Sequence, residues 1–415
     1  MAVRPGLGTF PAHRPLGLEI MPSALRAPEP PFPNAPVDCR AGEVPSICFV
    51  GLSNLAVLAP EVDRSGPAGE PLQHTLLATA LARRGHRVSM IVADHGQPDG
   101  AIWDGVQTFK AFSRRAGWPL VRFVHPRWTG LWAALSRAGA DVYYTSCAGG
   151  LVGQVAMFCA RRRKRFVFRV ASDADCQPDA LIAMGRAQWR DKWLYEHGLR
   201  RASSVLVQSV RQQELMRRNF GIDSSIAGLV VQPGRSELEL AERDIDALWV
   251  GNLRPVKRPD VLLGVAKKLP RISFHMAGGT VRGAERFFEE VKTQAAGRSN
   301  VTFHGAVAYR DVNALYSRAR VFVNTSDIEG FPNTYLQAWA SGTPVVAFFD
   351  PDGVIAREGL GATVRNPDEM SAAVRRLTSD ESEWSAARAR CIAFIERHYG
   401  EEVVLRPYLQ SFGCK

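Results

Sequence analysis

The stretch that decides the fold reads Glu329-Gly-Phe-Pro-Asn-Thr-Tyr-Leu-Gln-Ala-Trp-Ala-Ser-Gly-Thr-Pro-Val-Val346. Its pattern predicts a turn at Gly330-Phe331-Pro332, an amphipathic helix that ends at Ser341-Gly342, and an apolar strand from Pro344 to Phe348. Pro is favoured in the first turn of a helix, and Gly is favoured just past its end. A turn, a short helix and a strand in this order are typical of an α/β domain.

The start of this helix is a candidate site for an anion. The backbone N–H groups near Asn333 and Thr334 face the loop that carries Glu329 and have no partners within the helix. Such a terminus suits a diphosphate, and the neighbouring carboxylate can accept hydrogen bonds from sugar hydroxyls. Gln337 lies about two turns further on and can face the same cleft. The alternative interpretation is an ordinary helix start without a ligand.

This segment resembles the sugar-nucleotide signature of family-4 glycosyltransferases, which are retaining enzymes with the GT-B fold. The signature reads Glu-x7-Glu, followed by a small residue, Gly, x, Pro, Val and Val. This chain has Glu329 but carries Gln337 at the place of the second Glu. The resemblance implies that Glu329 contacts hydroxyls of the donor sugar and that the second position contacts the ribose. Gln337 can still bind a ribose, because its neutral head both donates and accepts hydrogen bonds.

A second motif precedes it in Trp249-Val-Gly-Asn-Leu-Arg-Pro-Val-Lys-Arg-Pro259. It resembles the Gly-Arg-Leu-x-x-x-Lys-Gly loop of the same family, whose Arg and Lys bind the donor pyrophosphate. Lys257 matches the lysine, whereas Asn252 stands at the arginine position and Arg254 follows two residues later. The two cations, Arg254 and Lys257, can neutralise charge on a departing nucleoside diphosphate, and Arg binds phosphate through its planar fork. The alternative interpretation is a basic surface loop.

The resemblance therefore implies two sets of residues in the second half of the chain. The predicted catalytic residues are Lys257, Arg254 and Glu329. Ala277-Gly278-Gly279 resembles a strand-end turn beneath the nucleotide, and backbone near Gly305 to Val307 is expected to contact the base. The predicted donor-binding residues are Gly251, Asn252, Gly278, Gly305, Val307, Gly330, Phe331, Pro332, Asn333, Thr334 and Gln337.

Matches in the first half are weaker and concern the acceptor side of the cleft. Where the family usually reads Gly-Gly-Ala-Glu, this chain has Ala68-Gly69-Glu70-Pro71, of which only Gly69 matches. Many members have a histidine where this chain has Ala171-Ser-Asp-Ala-Asp175, so Asp173 and Asp175 are candidates for positioning an acceptor hydroxyl. A capping or solvated loop is the alternative. Gln208 and Ser209 follow a strand that resembles the last one of the family's N-terminal domain.

The length and composition of the chain indicate what class of protein carries these motifs. A chain of 415 residues is long enough for two domains, and 46% hydrophobic with 22% charged residues is typical of a globular protein. The net charge of +11 favours anionic partners, such as nucleotide phosphates, anionic lipid or nucleic acid. The seven cysteines form no Cys-x-x-Cys pair, which indicates free thiols in a reducing compartment.

The order of elements predicts two α/β domains with a cleft between them, and the resemblance implies the GT-B fold, in which two Rossmann-like domains face that cleft. Residues 1–45 are rich in Pro, Ala and Gly and are predicted to be disordered. An acceptor-binding domain is expected over 46–235 and a donor-binding domain over 236–399, because short apolar strands and amphipathic helices alternate there. The resemblance implies that 400–415 packs back on the first domain. Ligands bind where parallel strands end, which places the site in the cleft.

One stretch invites a different interpretation. Residues 142–160 are uncharged and precede Arg161-Arg-Arg-Lys-Arg165, so they could be read as a membrane span. The glycines and polar residues favour a strand over 141–145, a glycine turn, a helix over 151–162 and a strand over 166–170. The basic run is then a solvated helix end, or a contact with anionic membrane lipid where a lipid-linked acceptor would sit.

These features lead to one expected function. The protein would move a hexosyl-type unit from a nucleotide-diphosphate sugar to a hydroxyl on a glycan or lipid-linked acceptor, with retention, in bacterial polysaccharide, glycolipid or cell-envelope glycan synthesis. It would be cytoplasmic, with a peripheral membrane contact as a further expectation. The sequence shows no clustered set of Asp-x-Asp, His or Cys residues that would hold a metal ion, so neither a metal nor another cofactor is expected.

Two alternatives stay open. A degenerate GT-B protein would bind a nucleotide sugar without catalysis, as the departures at Asn252, Gln337 and the glycine loop suggest. A nucleotide-sugar epimerase of the same fold would convert its donor without an acceptor. Nucleic-acid binding is not expected, because the basic residues are scattered and lack interleaved aromatic side chains.

Overall fold

The structure is a computed structural model that describes residues 44–414, with gaps at 64–68, 114, 119–120, 122, 178, 180–188, 233, 235, 282 and 328. The segment predicted to be disordered, 1–45, lies outside the described residues except for its last two. Two parallel sheets, each with helices on its faces, organise the chain, which confirms the predicted α/β fold class.

The first sheet has the strand order β3-β4-β2-β1-β5-β6-β7-β8, and every neighbouring pair is parallel except β3 with β4. The apolar runs of β1 and β2 are buried along their whole length, as parallel strands covered on both faces must be. Its strands are β1 (Ile47–Val50), β2 (Val88–Val92), β3 (Ile102–Trp103), β4 (Val106–Lys110), β5 (Val142–Ser146), β6 (Arg165–Arg169), β7 (Ser204–Val207) and β8 (Ser225–Ile226).

Helices cover both faces of this sheet. Those in its chain segment are α1 (Leu55–Leu58), α2 (Gly69–Arg83), α3 (Thr129–Ala138), α4 (Gly150–Arg162), α5 (Trp189–Leu199) and α6 (Val210–Phe220). The last helix of the chain, α14 (Glu401–Phe412), also packs here, because Leu405, Tyr408 and Phe412 lie in the core that α2 and β1 form. The C-terminal residues thus belong to the first sheet in space.

The second sheet is parallel throughout, with the order β11-β10-β9-β12-β13-β14. Its strands are β9 (Ile245–Val250), β10 (Phe274–Ala277), β11 (Val301–Gly305), β12 (Ala319–Asn324), β13 (Val345–Ala347) and β14 (Gly361–Thr363). Its helices are α7 (Pro259–Lys268), α8 (Glu285–Ala296), α9 (Tyr309–Arg318), α10 (Asn333–Ala340), α11 (Val354–Glu358), α12 (Pro367–Ser379) and α13 (Glu381–Tyr399).

In both sheets the first strand is central and the chain continues on either side of it. The first sheet changes direction between β1 and β5, and the second changes direction between β9 and β12. A crevice opens at such a point because the connections on its two sides run over opposite faces of the sheet, and ligands bind there. The strand order therefore defines one candidate crevice in each domain.

Residues 142–160 form β5 and most of α4, as the preferred parse predicts, and the membrane-span interpretation is wrong. No helix within the described ranges is long and apolar enough to cross a bilayer. One boundary differs slightly from its prediction: Pro332 is the N-cap of α10, and the helix begins at Asn333.

Candidate active site

In the crevice of the second sheet, an ion pair joins the Trp249–Pro259 loop to the Glu329–Val346 segment. The ammonium group of Lys257, in the 3-10 helix Pro255–Lys257 after β9, contacts Oε1 of Glu329 in the loop after β12. The hydroxyl of Thr325 donates to the Lys257 carbonyl at 2.7 Å and accepts from Nε1 of Trp249 at 3.0 Å. The loop that carries Lys257 is thereby fixed to the end of β12. The two side chains retain 26% and 13% of their surface, so the pair is accessible from the cleft.

The other residues of the first loop lie in the same place. Arg254 is half-buried at the N-cap of that 3-10 helix, in an extended conformation (φ −133°, ψ 149°). Asn252 is also half-buried, and Leu253 between them is fully buried. The structure therefore brings Arg254 and Lys257 onto one loop, as the motif predicts. Their action on a diphosphate stays a prediction.

Glycines form the floor of the crevice beside this loop. The N–H of Gly251 donates to the Ala277 carbonyl at 3.0 Å, and the N–H of Gly278 donates to the Gly305 carbonyl at 2.7 Å. A Cβ atom on Gly278 would lie 2.0 Å from the Gly251 oxygen, and Gly305 has a φ of +67°. A side chain at position 278 would collide with backbone, and one at position 305 would be strained by the positive φ. Together the two glycines expose backbone where β9, β10 and β11 end. Val307 beyond them packs against the neighbouring core.

The predicted anion site at the start of α10 faces the first domain. No side chain caps this helix within the described part of the chain, so the first-turn N–H groups at Asn333 and Thr334 remain oriented towards the cleft. The N–H of Phe331 donates to Oε1 of Gln208 at 3.0 Å, and Nδ2 of Asn333 donates to the Gly69 carbonyl at 3.0 Å. Predicted residues of both halves of the chain thus meet at one place.

Two further predicted residues complete this contact. A Cβ atom on Gly330 would lie 2.8 Å from the Ala171 oxygen, so the two backbones approach as closely as glycine allows. Gln337 projects from α10 towards α9, where its Nε2 donates to Oδ1 of Asn313 at 3.1 Å. A ribose would have to share Gln337 with that partner.

Two predicted residues of the first domain bond to nearby backbone. Asp175 is buried and accepts hydrogen bonds from the N–H groups of Ala171 and Ser172 at 2.8 and 3.2 Å, which closes the turn after β6. Ser209 is buried and caps α6 by accepting from the N–H of Gln212. Both side chains thus cap local backbone, which for the Asp173–Asp175 loop is the alternative interpretation of its sequence.

Asp173 is held between two side chains of α6. It accepts from Nε2 of Gln212 at 3.1 Å and pairs with Nε of Arg211 at 2.9 Å. Burial raises the pKa of Asp173 above its ordinary value, while the bonds from Gln212 and Arg211 lower it. Gln212 also accepts from the N–H of Gln208, whose side-chain amide contacts Phe331. The Asp173 carboxylate and the Gln208 amide therefore belong to one hydrogen-bond network. An acceptor-binding role for Asp173 stays a prediction.

The sequence analysis missed a polar cluster in the crevice of the first sheet. Glu70 and His74, one turn apart on α2, both contact the hydroxyl of Ser146 at the end of β5, each at 2.9 Å. Asn54 lies behind His74 at 3.1 Å, and the buried guanidinium of Arg169 lies at the end of β6. Glu70 and His74 stand at positions i and i+4 of a helix that also buries Gln73, Thr75 and Thr79, so several polar residues in one buried helix were the available signal.

Within the described residues, no group of three or more His, Cys, Asp or Glu side chains is placed to hold a metal ion. Whether the reaction needs a metal is a separate matter that stays a prediction.

Comparisons with known proteins identify the family and the fold. Residues 74–227 match the sequence model of the Glycosyl transferase 4-like domain, and residues 244–380 match that of Glycosyl transferases group 1. The D-inositol 3-phosphate glycosyltransferase of Mycobacterium tuberculosis is 32% identical over 154 residues, which are 34% of this chain and 31% of that protein. The similarity thus spans about a third of the length of this curated relative.

Solved structures share the fold at low sequence identity. Sucrose-phosphate synthase from Thermosynechococcus elongatus superposes with a TM-score of 0.70 at 17% identity, over 89% of this chain and 98% of that one. The HepE protein of Anabaena, solved with UDP and glucose, has a TM-score of 0.66 at 14% identity over 89% and 99% of the two chains. Since the two sequence models match one α/β domain each, the chain belongs to the group 1, family-4-like glycosyltransferases with the GT-B fold.

Proposed function

We propose that this protein transfers a hexosyl-type unit from a nucleotide-diphosphate sugar to a hydroxyl of its acceptor, with retention of the anomeric configuration. The observation that carries the proposal is the Lys257–Glu329 pair in the crevice between β9 and β12, beside the start of α10. A cation, a carboxylate and free N–H groups in one crevice are what a sugar diphosphate needs: charge for the phosphates and an acceptor for sugar hydroxyls.

The proposed chemistry follows from where charge develops. The bond between the anomeric carbon and the diphosphate oxygen breaks while the acceptor oxygen bonds to that carbon on the same face. The acceptor's proton passes to the departing diphosphate, so the atoms balance. Lys257, Arg254 and the first turn of α10 stabilise the growing negative charge. In this proposal they take the place of a divalent cation.

The remaining parts of the proposal concern donor, acceptor and location. UDP is the first nucleotide to test, because the HepE structure contains UDP and glucose. D-inositol 3-phosphate is the first acceptor to test, because it names the activity of the mycobacterial relative. We place the reaction on the cytoplasmic side of a bacterial membrane, in glycan or glycolipid synthesis. Arg161, Arg162 and Arg163, exposed at the end of α4, would contact anionic lipid there.

Ligand-dependent stability tests the donor site directly. We expect one of UDP, GDP, ADP and TDP to raise the unfolding temperature of the protein, because a ligand of the native state stabilises it. Lys257→Ala should lose that rise. Lys267→Ala, an exposed lysine at the end of α7, should keep it and serves as the matched control. A wild-type protein that none of the four stabilises would contradict the proposed donor site.

Turnover separates the proposal from its two alternatives. Transfer requires an acceptor, so UDP-glucose with D-inositol 3-phosphate should give a glycosylated product and UDP. An epimerase would convert the donor sugar with no acceptor present. A degenerate binder would be stabilised by the nucleotide without any turnover, and Gln337→Glu would then create activity that the wild type lacks.

A further inference from the structure

The polar cluster of the first sheet lies at the point where ligands of α/β domains bind. Glu70 is the second residue of α2, which follows β1, and Ser146 is the last residue of β5 on the other side of β1. The Ser146 hydroxyl donates to Oε1 of Glu70 at 2.9 Å, so this bond bridges the crevice of the first sheet. The proposed donor site occupies the equivalent crevice of the second sheet.

A directed chain of hydrogen bonds holds the Glu70 carboxylate. The side-chain amide of Asn54 lies 3.1 Å from Nδ1 of His74, and with Nδ2 as its donor the neutral imidazole carries its proton on Nε2. That Nε2 lies 2.9 Å from the Ser146 hydroxyl, which it can donate to, and the hydroxyl donates onward to Glu70. His74 is fully buried, and burial lowers its pKa well below the ordinary value, which keeps it neutral.

Charged groups around Glu70 set its protonation. Among the described residues, those that face it are His74 on α2, Tyr144 on β5, Arg169 on β6 and Asp175 after β6. Burial raises the pKa of Glu70 to about 7, with Asp175 adding to the rise and Ser146 and Arg169 opposing it. The carboxylate therefore changes its charge in the physiological range.

Arg169 shows that this cluster has unused hydrogen-bonding capacity. The Arg169 side chain is 1% exposed, and its guanidinium lies beside Tyr144 and Tyr408. Its Nε and Nη1 have no hydrogen-bond partner among the described residues. Buried N–H groups are nearly always paired, so such an exception points to a functional site or a water.

The cluster lies directly beside the proposed diphosphate site. Gly69, the residue before Glu70, accepts from the side chain of Asn333 in the first turn of α10. Glu70 retains 22% of its side-chain surface while its Oε1 is held by Ser146. In a transfer with retention, the acceptor hydroxyl attacks the face of the sugar that the phosphate leaves. That hydroxyl must therefore lie near the phosphate, and so near Glu70.

From this geometry we infer that Glu70 binds the attacking hydroxyl of the acceptor, accepting its hydrogen bond through Oε2 while Ser146 and His74 hold Oε1. The inference rests on the glycosyl transfer proposed above. Glu70 polarises and aims the hydroxyl, and the proton still leaves with the diphosphate. Asn54, His74 and Ser146 act through Glu70 and are positioning residues.

The test measures UDP release from UDP-glucose by wild type and by Glu70→Gln, once with water alone as the acceptor and once with D-inositol 3-phosphate. We expect UDP affinity to be unchanged and UDP release to fall about tenfold or more, since a hydrogen bond to a charged group is lost. For the wild type the rate should rise with pH as Glu70 ionises near 7, and in Glu70→Gln that rise should be absent. Glu289→Gln, an exposed carboxylate on α8, is the matched control.

A second variant distinguishes positioning from simple loss of structure. Ser146→Ala keeps the carboxylate but removes a bond that lowers the pKa of Glu70. The rise of the rate should therefore shift to higher pH, with UDP affinity retained. Equal rates and pH profiles for wild type and Glu70→Gln would overturn the inference while leaving the proposed function intact. A wild type that binds no nucleotide and releases no UDP would instead overturn the proposed function, and the inference with it.

Discussion

Asp352 of the second sheet's domain caps helix α6 of the first. Its Oδ2 accepts from the N–H of Val210 at 2.8 Å, and its Oδ1 accepts from the N–H of Arg211 at 3.2 Å. Asp352 has a left-handed backbone (φ 51°), which places its carboxylate against that helix start. A negative charge at a helix N-terminus is favourable, so this contact stabilises the arrangement in which the two domains meet.

Removing that carboxylate should weaken the contact between the domains. We expect Asp352→Ala to lower the free energy of unfolding by about 1 kcal/mol more than its control, the usual effect of losing a helix cap. The control is Asp104→Ala, which has a similar backbone (φ 47°) in the turn between β3 and β4. Urea unfolding at low salt measures both variants. Equal losses would show that Asp352 contributes nothing across the cleft.

Glu329→Gln should separate nucleotide binding from turnover. In the wild type the carboxylate neutralises part of the Lys257 charge. Without it, Lys257 attracts the diphosphate more strongly, so UDP affinity should stay the same or increase. The donor sugar loses the acceptor of its hydroxyl bonds, and UDP release from UDP-glucose should fall at least about tenfold. Calorimetry and UDP release measure the two effects, and parallel losses of both would contradict this division of roles.

The glycine floor of the donor crevice should tolerate no side chain. Gly278→Ala places its Cβ 2.0 Å from the Gly251 oxygen, a backbone atom that can move only if the strand ends separate. We expect the free energy of unfolding to fall by about 1–3 kcal/mol, as overpacking does. Gly264→Ala in α7 meets nothing within 4 Å and should stabilise the protein by about 0.5–1 kcal/mol. Thermal and urea unfolding would show these opposite signs.

Glu70 and His74 should have opposite effects on stability as the pH changes. Glu70 has a pKa of about 7 in the folded state against 4.5 unfolded, so the native state holds the extra proton between these values. Its contribution to stability is present below pH 4.5 and is lost as the pH rises through 7. His74 is neutral when folded and titrates at 6.5 when unfolded, so its contribution is lost as the pH falls below 6.5.

Glu70→Gln should reveal how His74 makes the stability depend on pH. Between pH 5 and 6.5 the two contributions cancel in the wild type. In the variant, stability should fall by about 1.4 kcal/mol for each unit that the pH drops, relative to wild type. Urea unfolding at several pH values measures this difference. Identical pH dependence of wild type and variant would mean that Glu70 ionises at its ordinary pKa in the folded protein.

Local patterns in the chain predicted much of the fold and one half of the candidate site. The β–α alternation follows from hydrophobic periods that change between strand and helix, and Gly and Pro mark the ends of elements. The α10 segment was identifiable because an anion site at a helix start is built from consecutive residues. The same holds for the loop of Lys257, whose cations are separated by two residues.

Capping explains the surroundings of two predicted residues, Asp175, for which the sequence left capping as an alternative, and Ser209, for which it did not. Asp175 and Ser209 follow strands that end at the cleft, which motivated their assignment. Short polar side chains also bond to nearby backbone N–H groups, and here those bonds engage both residues. Sequence cannot rank the two uses, because both need the same residue type at the same position.

By itself, then, the sequence determined the α/β class and the residues of the two motifs in the second domain, since both depend on neighbours along the chain. Only the tertiary structure decided which distant residues meet. Glu70 reaches Ser146 across 76 positions, and Val210 meets Asp352 across 142. Strand order and domain packing bring these groups within 3 Å, and neither leaves a periodic trace in the local sequence.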